Sequence, residues 1–160
     1  MALRYIRKKM DPVLRKKAAP VSRFTPQLLE LLDDMIETMF EAEGIGLAAP
    51  QVGISKSIIV VRNEDEVLEV INPEIIDGEG EELDIEGCLS FPGVYAEVPR
   101  FARLGVKGMN RAGKSITITA QGLMSRVLQH EIDHLNGIVL IDKAIRLLTP
   151  EEMKKMKEEQ

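Results

Sequence analysis

The two histidines of the chain lie four residues apart, within Gln129–His134, which reads QHEIDH. Four residues are about one helical turn, so on a helix both imidazoles project from one face and can bind one metal ion. Glu131 lies one helical step away, close enough to reach a water molecule bound to that ion. The pattern therefore predicts a metal site with an adjacent general base. The alternative is a pair of hydrogen-bonded histidines on a helix without a ligand.

A third metal ligand must be Cys, Asp or Glu, because a catalytic site usually has three protein ligands and the chain has only two histidines. Cys88 is the only cysteine, in the stretch Glu86–Ser90, which reads EGCLS. The glycine before it permits a close backbone approach or an unusual turn. A thiolate and two imidazoles form a suitable tetrahedral site for Zn²⁺ or Fe²⁺. The sequence thus favours Cys88 as the third ligand, although a single cysteine is often a small core residue.

A third stretch, Gly44–Gln51, reads GIGLAAPQ and combines two glycines with small residues. Such a composition is typical of a loop whose backbone runs close to another group. A phosphate-binding loop is disfavoured, because Lys and Ser/Thr are missing from the required positions. Gln51 could donate an amide N–H to an oxyanion that develops during a reaction. The alternative is a helix end followed by a tight loop.

Three helices are predicted, and the second carries both histidines. Thr25 and the proline after it are typical of a helix start, and apolar spacing continues the first helix over about Pro26–Glu43. The second covers about Gln121–Leu135 and is apolar around most of its circumference, which is typical of a buried helix. A short, highly charged helix begins at Thr149 with a capping-box pattern.

Short apolar runs predict strands at Ser57–Val61, Val67–Ile71, Val94–Val98, Leu104–Met109, Ser115–Ala120 and Ile138–Ile141. The connections between them are too short for helical crossovers, so we expect mainly antiparallel pairing. The predicted fold class is α+β, with antiparallel β-strands wrapped around a buried central helix that carries HEIDH. An N-terminal helix and a short C-terminal helix complete a single domain over residues 1–160.

Composition limits the possible classes of protein. The chain has 160 residues and a formal net charge of −5, which fits one domain and argues against dedicated nucleic-acid binding. One cysteine excludes an intrachain disulfide and fits a reducing compartment. No segment has the roughly 18 apolar residues of a membrane span, and the basic N-terminus lacks the apolar region of a signal peptide. We therefore expect a cytoplasmic protein that makes no membrane contact.

Together, the three stretches resemble the signature motifs of the peptide deformylase family, bacterial type. GIGLAAPQ, EGCLS and HEIDH occur in the order and spacing of that family, and none departs from its pattern. The segments Asp11–Arg15 and Val98–Arg100 are also similar to it, so the resemblance runs from about residue 5 to about residue 145. Three motifs together are far more specific than the histidine pattern, which by itself indicates only a metallohydrolase.

The resemblance implies an enzyme that removes the N-formyl group from the initiator methionine of nascent polypeptides and releases formate. It implies that Cys88, His130 and His134 hold one divalent metal ion per chain, Fe²⁺ as the native metal and Zn²⁺ as the alternative. In this hypothesis water bound to the metal attacks the formyl carbon, with Glu131 first as general base and then as general acid.

The resemblance also implies which groups stabilise the oxyanion and bind the substrate. The oxyanion would accept hydrogen bonds from the Gln51 side-chain amide and the Leu89 backbone N–H. Backbone groups would bind the peptide as an added strand, a mode that reads main chain and tolerates many sequences. Those backbone groups belong to Ile45, Gly46 and Gly87.

Three further residues are candidates for substrate binding. Leu123 and Val127 lie on the helix turns before the first histidine and could form the apolar pocket for the methionine side chain, or could simply be core residues. Arg100 could face the peptide or could be a solvated surface arginine. The basic N-terminal stretch is a candidate for transient contact with ribosomal RNA.

Two other functions remain open on the residues alone. A metallopeptidase would use the same histidine pair with a different third ligand and an open cleft for internal peptide bonds. A non-enzymatic metal-binding module would need a fourth protein ligand, for which Asp133 is a poor candidate because it lies one step off the histidine face. Replacing Glu131 would leave such a module unaffected.

Overall fold

The N-terminal helix lies where the sequence predicts it but ends earlier. The computed structural model describes residues 2–159, so the two terminal residues of the predicted domain lie outside the described part. Helix α1 (Pro26–Glu41) starts at Thr25, whose side chain accepts a hydrogen bond from the Leu28 N–H. It ends before the predicted Glu43 because Glu43 itself adopts the left-handed conformation, with φ of 57°. The Gly44 N–H then bonds the Met39 carbonyl and closes the helix end.

Five antiparallel strands form the larger sheet, in the order β1-β2-β3-β6-β7. Four of these strands overlap strands that the sequence predicted, and β1 was not predicted. The sheet consists of β1 (Gly46–Ala48), β2 (Ile58–Asn63), β3 (Glu66–Glu79), β6 (Arg103–Met109) and β7 (Ser115–Gln121). Two register irregularities interrupt the pairing of β3 with β6. The three-residue β1 is too short to show an apolar alternation, which is why the sequence indicated only a loop there.

A smaller antiparallel sheet has the order β4-β5-β8. It consists of β4 (Glu82–Cys88), β5 (Phe91–Arg100) and β8 (Arg146–Leu148). The sequence predicted part of β5 but not β4, whose first three residues are exposed and include two acidic ones. The prediction of a strand at Ile138–Ile141 is wrong. Val139 and Leu140 are buried against the smaller sheet at the start of a one-turn helix, α3 (Leu140–Lys143).

The predicted central helix is α2 (Gly122–Leu135), and every residue from Ser125 to Leu135 is buried. It packs against β1 and β2 of the larger sheet and also contacts β5 of the smaller one. The short C-terminal helix is α4 (Pro150–Glu158), capped by Thr149 as the sequence predicted. Within residues 2–159, no helix is long and apolar enough to cross a membrane. The α+β class and the antiparallel pairing are confirmed.

Strand β2 explains how the two long helices are arranged around the larger sheet. Ile58 and Val60 pack in one core cluster with α1, whereas Ile59 and Val61 pack in another with α2. Successive side chains of a strand point to opposite faces, so a strand covered on both faces is continuously apolar. The larger sheet therefore lies between α1 and α2, and the His-Glu pattern of α2 faces the region between the two sheets.

Candidate metal centre and active site

The three predicted metal ligands converge in the structure. The ligand atoms of Cys88, His130 and His134 lie within 4.8 Å of one another. The Cys88 Sγ is 3.4 Å from the His134 Nε2, and the two imidazole centroids are 5.0 Å apart. Both histidines are buried and the cysteine is half-buried. One sulfur and two imidazole nitrogens in this arrangement fit a divalent ion such as Zn²⁺ or Fe²⁺.

Local backbone geometry brings Cys88 to the histidines. In the pairing of β4 with β5, Gly87 lies opposite Tyr95 but Cys88 lies opposite Phe91, so the register shifts between Gly87 and Cys88. Such an irregularity changes the direction of a side chain at the end of a strand. The thiol therefore points toward α2, where helical spacing has already placed both imidazoles on one face.

Glu131 is the buried acid of the site. It lines the pocket described below, and among residues 2–159 its Oε1 has no hydrogen-bond partner. Burial raises the pKa of Glu131 to about 7, because the charged carboxylate loses hydration. A pKa near the working pH suits a group that first accepts and then donates a proton.

Gln51 is fixed beside the metal ligands by its own hydrogen bonds. Its Oε1 accepts a hydrogen bond of 3.0 Å from the Ala48 N–H. Its Nε2 donates to the Ser90 Oγ at 3.1 Å and lies 3.6 Å from the Cys88 Sγ. The amide nitrogen therefore faces the cysteine end of the site. Leu89 follows Cys88 in the turn between β4 and β5 and also lines the pocket.

Glu86 orients one of the imidazoles. Its Oε1 lies 2.8 Å from the His130 Nδ1, and both groups are buried. Burial raises the pKa of Glu86, but hydrogen bonds from Arg100 and His130 outweigh burial and leave the pKa well below its ordinary value. An ionised Glu86 accepts a hydrogen bond from the Nδ1–H of His130. The Nε2 of His130 then carries no proton and is free to bind a metal. Glu86 was given no role from the sequence, although its position in EGCLS, two residues before Cys88, was a usable signal.

The expectation that Arg100 faces the peptide is corrected by the structure. Arg100 is buried and is not among the pocket-lining residues. Its guanidinium donates two hydrogen bonds of 2.9 Å to Glu86 and also bonds Asp133. Asp133 also accepts a hydrogen bond of 2.9 Å from Lys143, so its carboxylate is occupied by cations and is not a fourth metal ligand. These partners are far from Arg100 in sequence, so the pattern around Arg100 gave no sign of them.

A pocket of about 730 Å³ opens between the two sheets. Five of the six residues predicted to bind substrate line it, namely Ile45, Gly46, Gly87, Leu123 and Val127. Val127 is 6% exposed and forms part of the buried pocket wall, whereas Leu123 is 66% exposed and lies at the pocket rim. Other lining residues were not predicted from the sequence, including Ile6, Lys8, Phe91, Tyr95 and Arg126.

Edge strands flank this pocket. Strands β1 and β4 each occupy the outer position of their sheet and pair on one side only within residues 2–159. Gly46 of β1 and Gly87 of β4 both line the pocket. An unpaired strand edge can form main-chain hydrogen bonds with an extended peptide.

Sequence comparison places the chain among known enzymes. A family model described as polypeptide deformylase matches residues 3–149. A peptide deformylase of Halothermothrix orenii is 54% identical over 149 residues, which are 92% of this chain and 97% of the relative.

Solved structures give the same result. A peptide deformylase from Thermotoga maritima is similar with a TM-score of 0.88 and 44% identity, covering 90% of this chain and 99% of that one. A class I type b peptide deformylase from Acinetobacter baumannii, solved with Met-Ala-Ser bound, has a TM-score of 0.85 and 35% identity. The match covers 88% of this chain and 98% of that one.

Proposed function

The chain belongs to the polypeptide deformylase family, and from this membership we propose how its residues remove the N-formyl group from the initiator methionine of nascent polypeptides. The reaction is a metal-dependent amide hydrolysis that releases formate. The observation that carries the proposal is the convergence of Cys88, His130 and His134 beside the buried Glu131 in one pocket.

Cys88, His130 and His134 would hold one divalent ion, with Glu86 orienting His130. When bound, such an ion polarises the formyl carbonyl and lowers the pKa of a bound water from 15.7 toward about 7. We propose Fe²⁺ as the native metal and Zn²⁺ as the alternative, because both accept a ligand set of one thiolate and two imidazoles.

Glu131 transfers the protons. Its carboxylate accepts a proton from the attacking water, and burial, which disfavours the charged form and raises the pKa of the carboxyl, helps it to hold that proton. It then donates the proton to the amine of methionine, which is too basic to leave as an anion. Because Glu131 is buried, bulk water does not compete for this proton.

Gln51 and Leu89 would stabilise the charge that develops on the formyl oxygen. The Gln51 amide is held in place before the reaction by Ala48 and Ser90, so little reorganisation is needed. One preorganised donor of this kind typically contributes about 2.7–4 kcal/mol to transition-state stabilisation.

The edges of β1 and β4 would bind the peptide main chain. We assign this contact to Ile45, Gly46 and Gly87, with Val127 as a wall of the methionine pocket and Leu123 at its rim. The lining positions of these residues support the assignment. The Acinetobacter baumannii relative solved with Met-Ala-Ser bound supports a tripeptide of this kind as ligand.

Formate release from formyl-Met-Ala-Ser tests the proposal. We expect protein purified without oxygen to release formate, a chelator to abolish the release, and added Fe²⁺ or Zn²⁺ to restore it. Acetyl-Met-Ala-Ser is the control substrate, and metal analysis of the purified protein identifies the native ion. Absence of formate from protein that contains one metal ion per chain would disprove the proposal, and new peptide ends would instead indicate a metallopeptidase.

We further propose that the protein acts in the cytoplasm and contacts the ribosome transiently through its basic N-terminal region. Lys8, Lys9, Lys16 and Lys17 are exposed there, which supports an electrostatic contact with RNA. Co-sedimentation with ribosomes should weaken as salt rises and should weaken further in Lys16→Glu/Lys17→Glu. Co-sedimentation unaffected by either change would exclude this contact.

A further inference from the structure

The N-terminal segment, residues 2–9, lies outside all helices and strands and is anchored on α1. The Arg4 N–H donates to the Thr38 Oγ1 at 2.9 Å, and the Arg4 guanidinium pairs with Asp34 at 2.9 Å. The Ala2 N–H donates to the same carboxylate at 2.7 Å. Asp34 and Thr38 are buried residues of α1, so the start of the segment is fixed to the core.

The other end of the segment binds two connecting segments of the active site, the single 3-10 helical turn Ala49–Val52 and the turn that contains Ser90, which are called the two loops below. The Arg7 N–H donates to the Gln51 carbonyl at 2.6 Å. Two residues later, the Lys9 N–H donates to the Ser90 carbonyl at 2.9 Å. Gln51 ends the GIGLAAPQ stretch and Ser90 ends the EGCLS stretch. Residues 7–9 therefore bridge the two stretches through main-chain hydrogen bonds.

The same two loops are also joined by side chains. The Gln51 Nε2 donates to the Ser90 Oγ at 3.1 Å. The backbone bridge and this side-chain bond form a closed ring of contacts in which Gln51 and Ser90 each take part twice. A shift of residues 7–9 would move both loops, and with them the distance from the Gln51 amide to Cys88.

The conformation of the segment indicates that it is held firmly. Lys9 has φ of 50°, an unfavourable conformation for a residue with a side chain, so surrounding contacts must maintain it. Ile6 and Lys8 line the pocket, while Arg7 pairs with Asp11 at 3.1 Å. The segment thus forms part of the pocket wall and also contacts the loops behind it.

We propose that Arg7 and Lys9 are positioning residues, whose backbone N–H groups set the Gln51 amide relative to Cys88 and the reacting formyl group. The inference rests on the proposed function, because it assigns Gln51 to the oxyanion. It adds to that function a segment far from the three motifs in sequence. A misplacement of about 1 Å at a reacting group can lower a rate by a factor of about 10².

Arg7→Pro tests the proposal, because proline lacks the N–H that bonds Gln51. We expect kcat to fall about tenfold with KM changed less than about threefold, a loss smaller than that of a whole oxyanion donor. In a Gln51→Ala background, Arg7→Pro should change kcat by less than about twofold, since residues that act as a unit are not additive. A structural role independent of Gln51 would give equal losses in both backgrounds and would overturn the proposal.

Leu3→Pro is the control, because Leu3 lies in the same segment, is 55% exposed and has no hydrogen bond from its N–H within residues 2–159. The thermal unfolding and the metal content of Leu3→Pro should match those of the wild type. If Arg7→Pro does not fold, Thr38→Val takes its place. This variant removes the hydroxyl that accepts the Arg4 N–H, and it is combined with Gln51→Ala in the same double-mutant cycle. If Arg7→Pro keeps the kcat of the wild type, only the positioning role is disproved. If the wild-type protein itself releases no formate, the proposed function is disproved.

Discussion

Glu131 owes its properties to burial, and its role can be separated from metal binding. The carboxyl is buried and its pKa is raised to about 7, so replacement by the uncharged Gln removes the proton acceptor with little change in volume. We expect Glu131→Gln to lower kcat by about 10²–10⁴. Metal content should remain at one ion per chain, because Glu131 is not among the three ligands.

The matched control for this change is Glu74→Gln. Glu74 is exposed on β3 and pairs only loosely with Lys107, at 3.6 Å. Formate release by this variant should equal that of the wild type. Equal activity of Glu131→Gln and the wild type would contradict the role of general base.

Glu86 is a buried residue at the pocket that orients a metal ligand. Its carboxylate accepts from His130, twice from Arg100 and once from Arg126, at 2.7–2.9 Å. Glu86→Gln removes the charge that orients the Nδ1–H of His130. Arg100 then keeps only Asp133 as an acidic partner, and the buried Arg126 keeps only backbone carbonyls. We expect metal affinity to fall about 10–100-fold, measured by competition with a chelator.

Glu82→Gln is the control for Glu86, since the Glu82 side chain is exposed on the same strand. Thermal unfolding of both variants after metal removal would show how much of the effect is loss of stability. Unchanged metal affinity in Glu86→Gln would show that the histidine needs no orienting carboxylate.

At the scale of elements, strand β1 and helix α2 approach so closely that only glycine fits between them. A Cβ at Gly46 would lie 2.5 Å from the Glu131 Oε2 and 2.9 Å from the Val127 Cγ1. We expect Gly46→Ala to displace Glu131 or β1 and to lower kcat at least tenfold, since small misplacements of reacting groups are costly. Steady-state kinetics and thermal unfolding measure the two effects.

Gly87→Ala is the matched control on the opposite edge strand. There a Cβ would meet the Tyr95 ring at 3.5 Å, an ordinary van der Waals contact. Its stability should be close to that of the wild type, and any change in KM would report on peptide binding at β4. If Gly46→Ala kept the wild-type kcat, the close packing of β1 on Glu131 would have no catalytic consequence.

At the scale of the whole molecule, buried acids make stability depend on pH. Burial raises the pKa of Asp34, but hydrogen bonds from Ala2 and Arg4 outweigh burial and lower it below its ordinary value. A carboxyl whose pKa is lower in the folded state stabilises that state above the unfolded pKa of about 3.9. This contribution is lost as the pH falls through the folded pKa.

Urea unfolding of the wild type and Asp34→Asn at pH 6, 4 and 3 measures this effect. At pH 6 the free energy of unfolding of the wild type should exceed that of Asp34→Asn, and this difference should shrink as the pH falls. Loss of metal at low pH affects both proteins and cancels in the difference. A difference that stays constant with pH would show that the charge of Asp34 does not anchor the N-terminal segment.

Much of the architecture follows from local patterns. Apolar spacing and capping residues specified α1, α2 and α4, because helix formation depends on near neighbours. The pattern failed at β1 and β4, where strands are too short or too exposed to show alternation. It also failed at Val139 and Leu140, because a short apolar run indicates burial without distinguishing a strand from a helical turn.

The sequence by itself determined the chemistry of the centre, because the four-residue spacing of His130 and His134 becomes proximity on any helix and the cysteine is unique. Only the tertiary structure decided the partners of Arg100, the role of Glu86 and the contact of residues 7–9 with Gln51 and Ser90. These contacts join residues that are distant in the chain. Their formation depends on how sheets and helices pack together, which no local pattern of residues encodes.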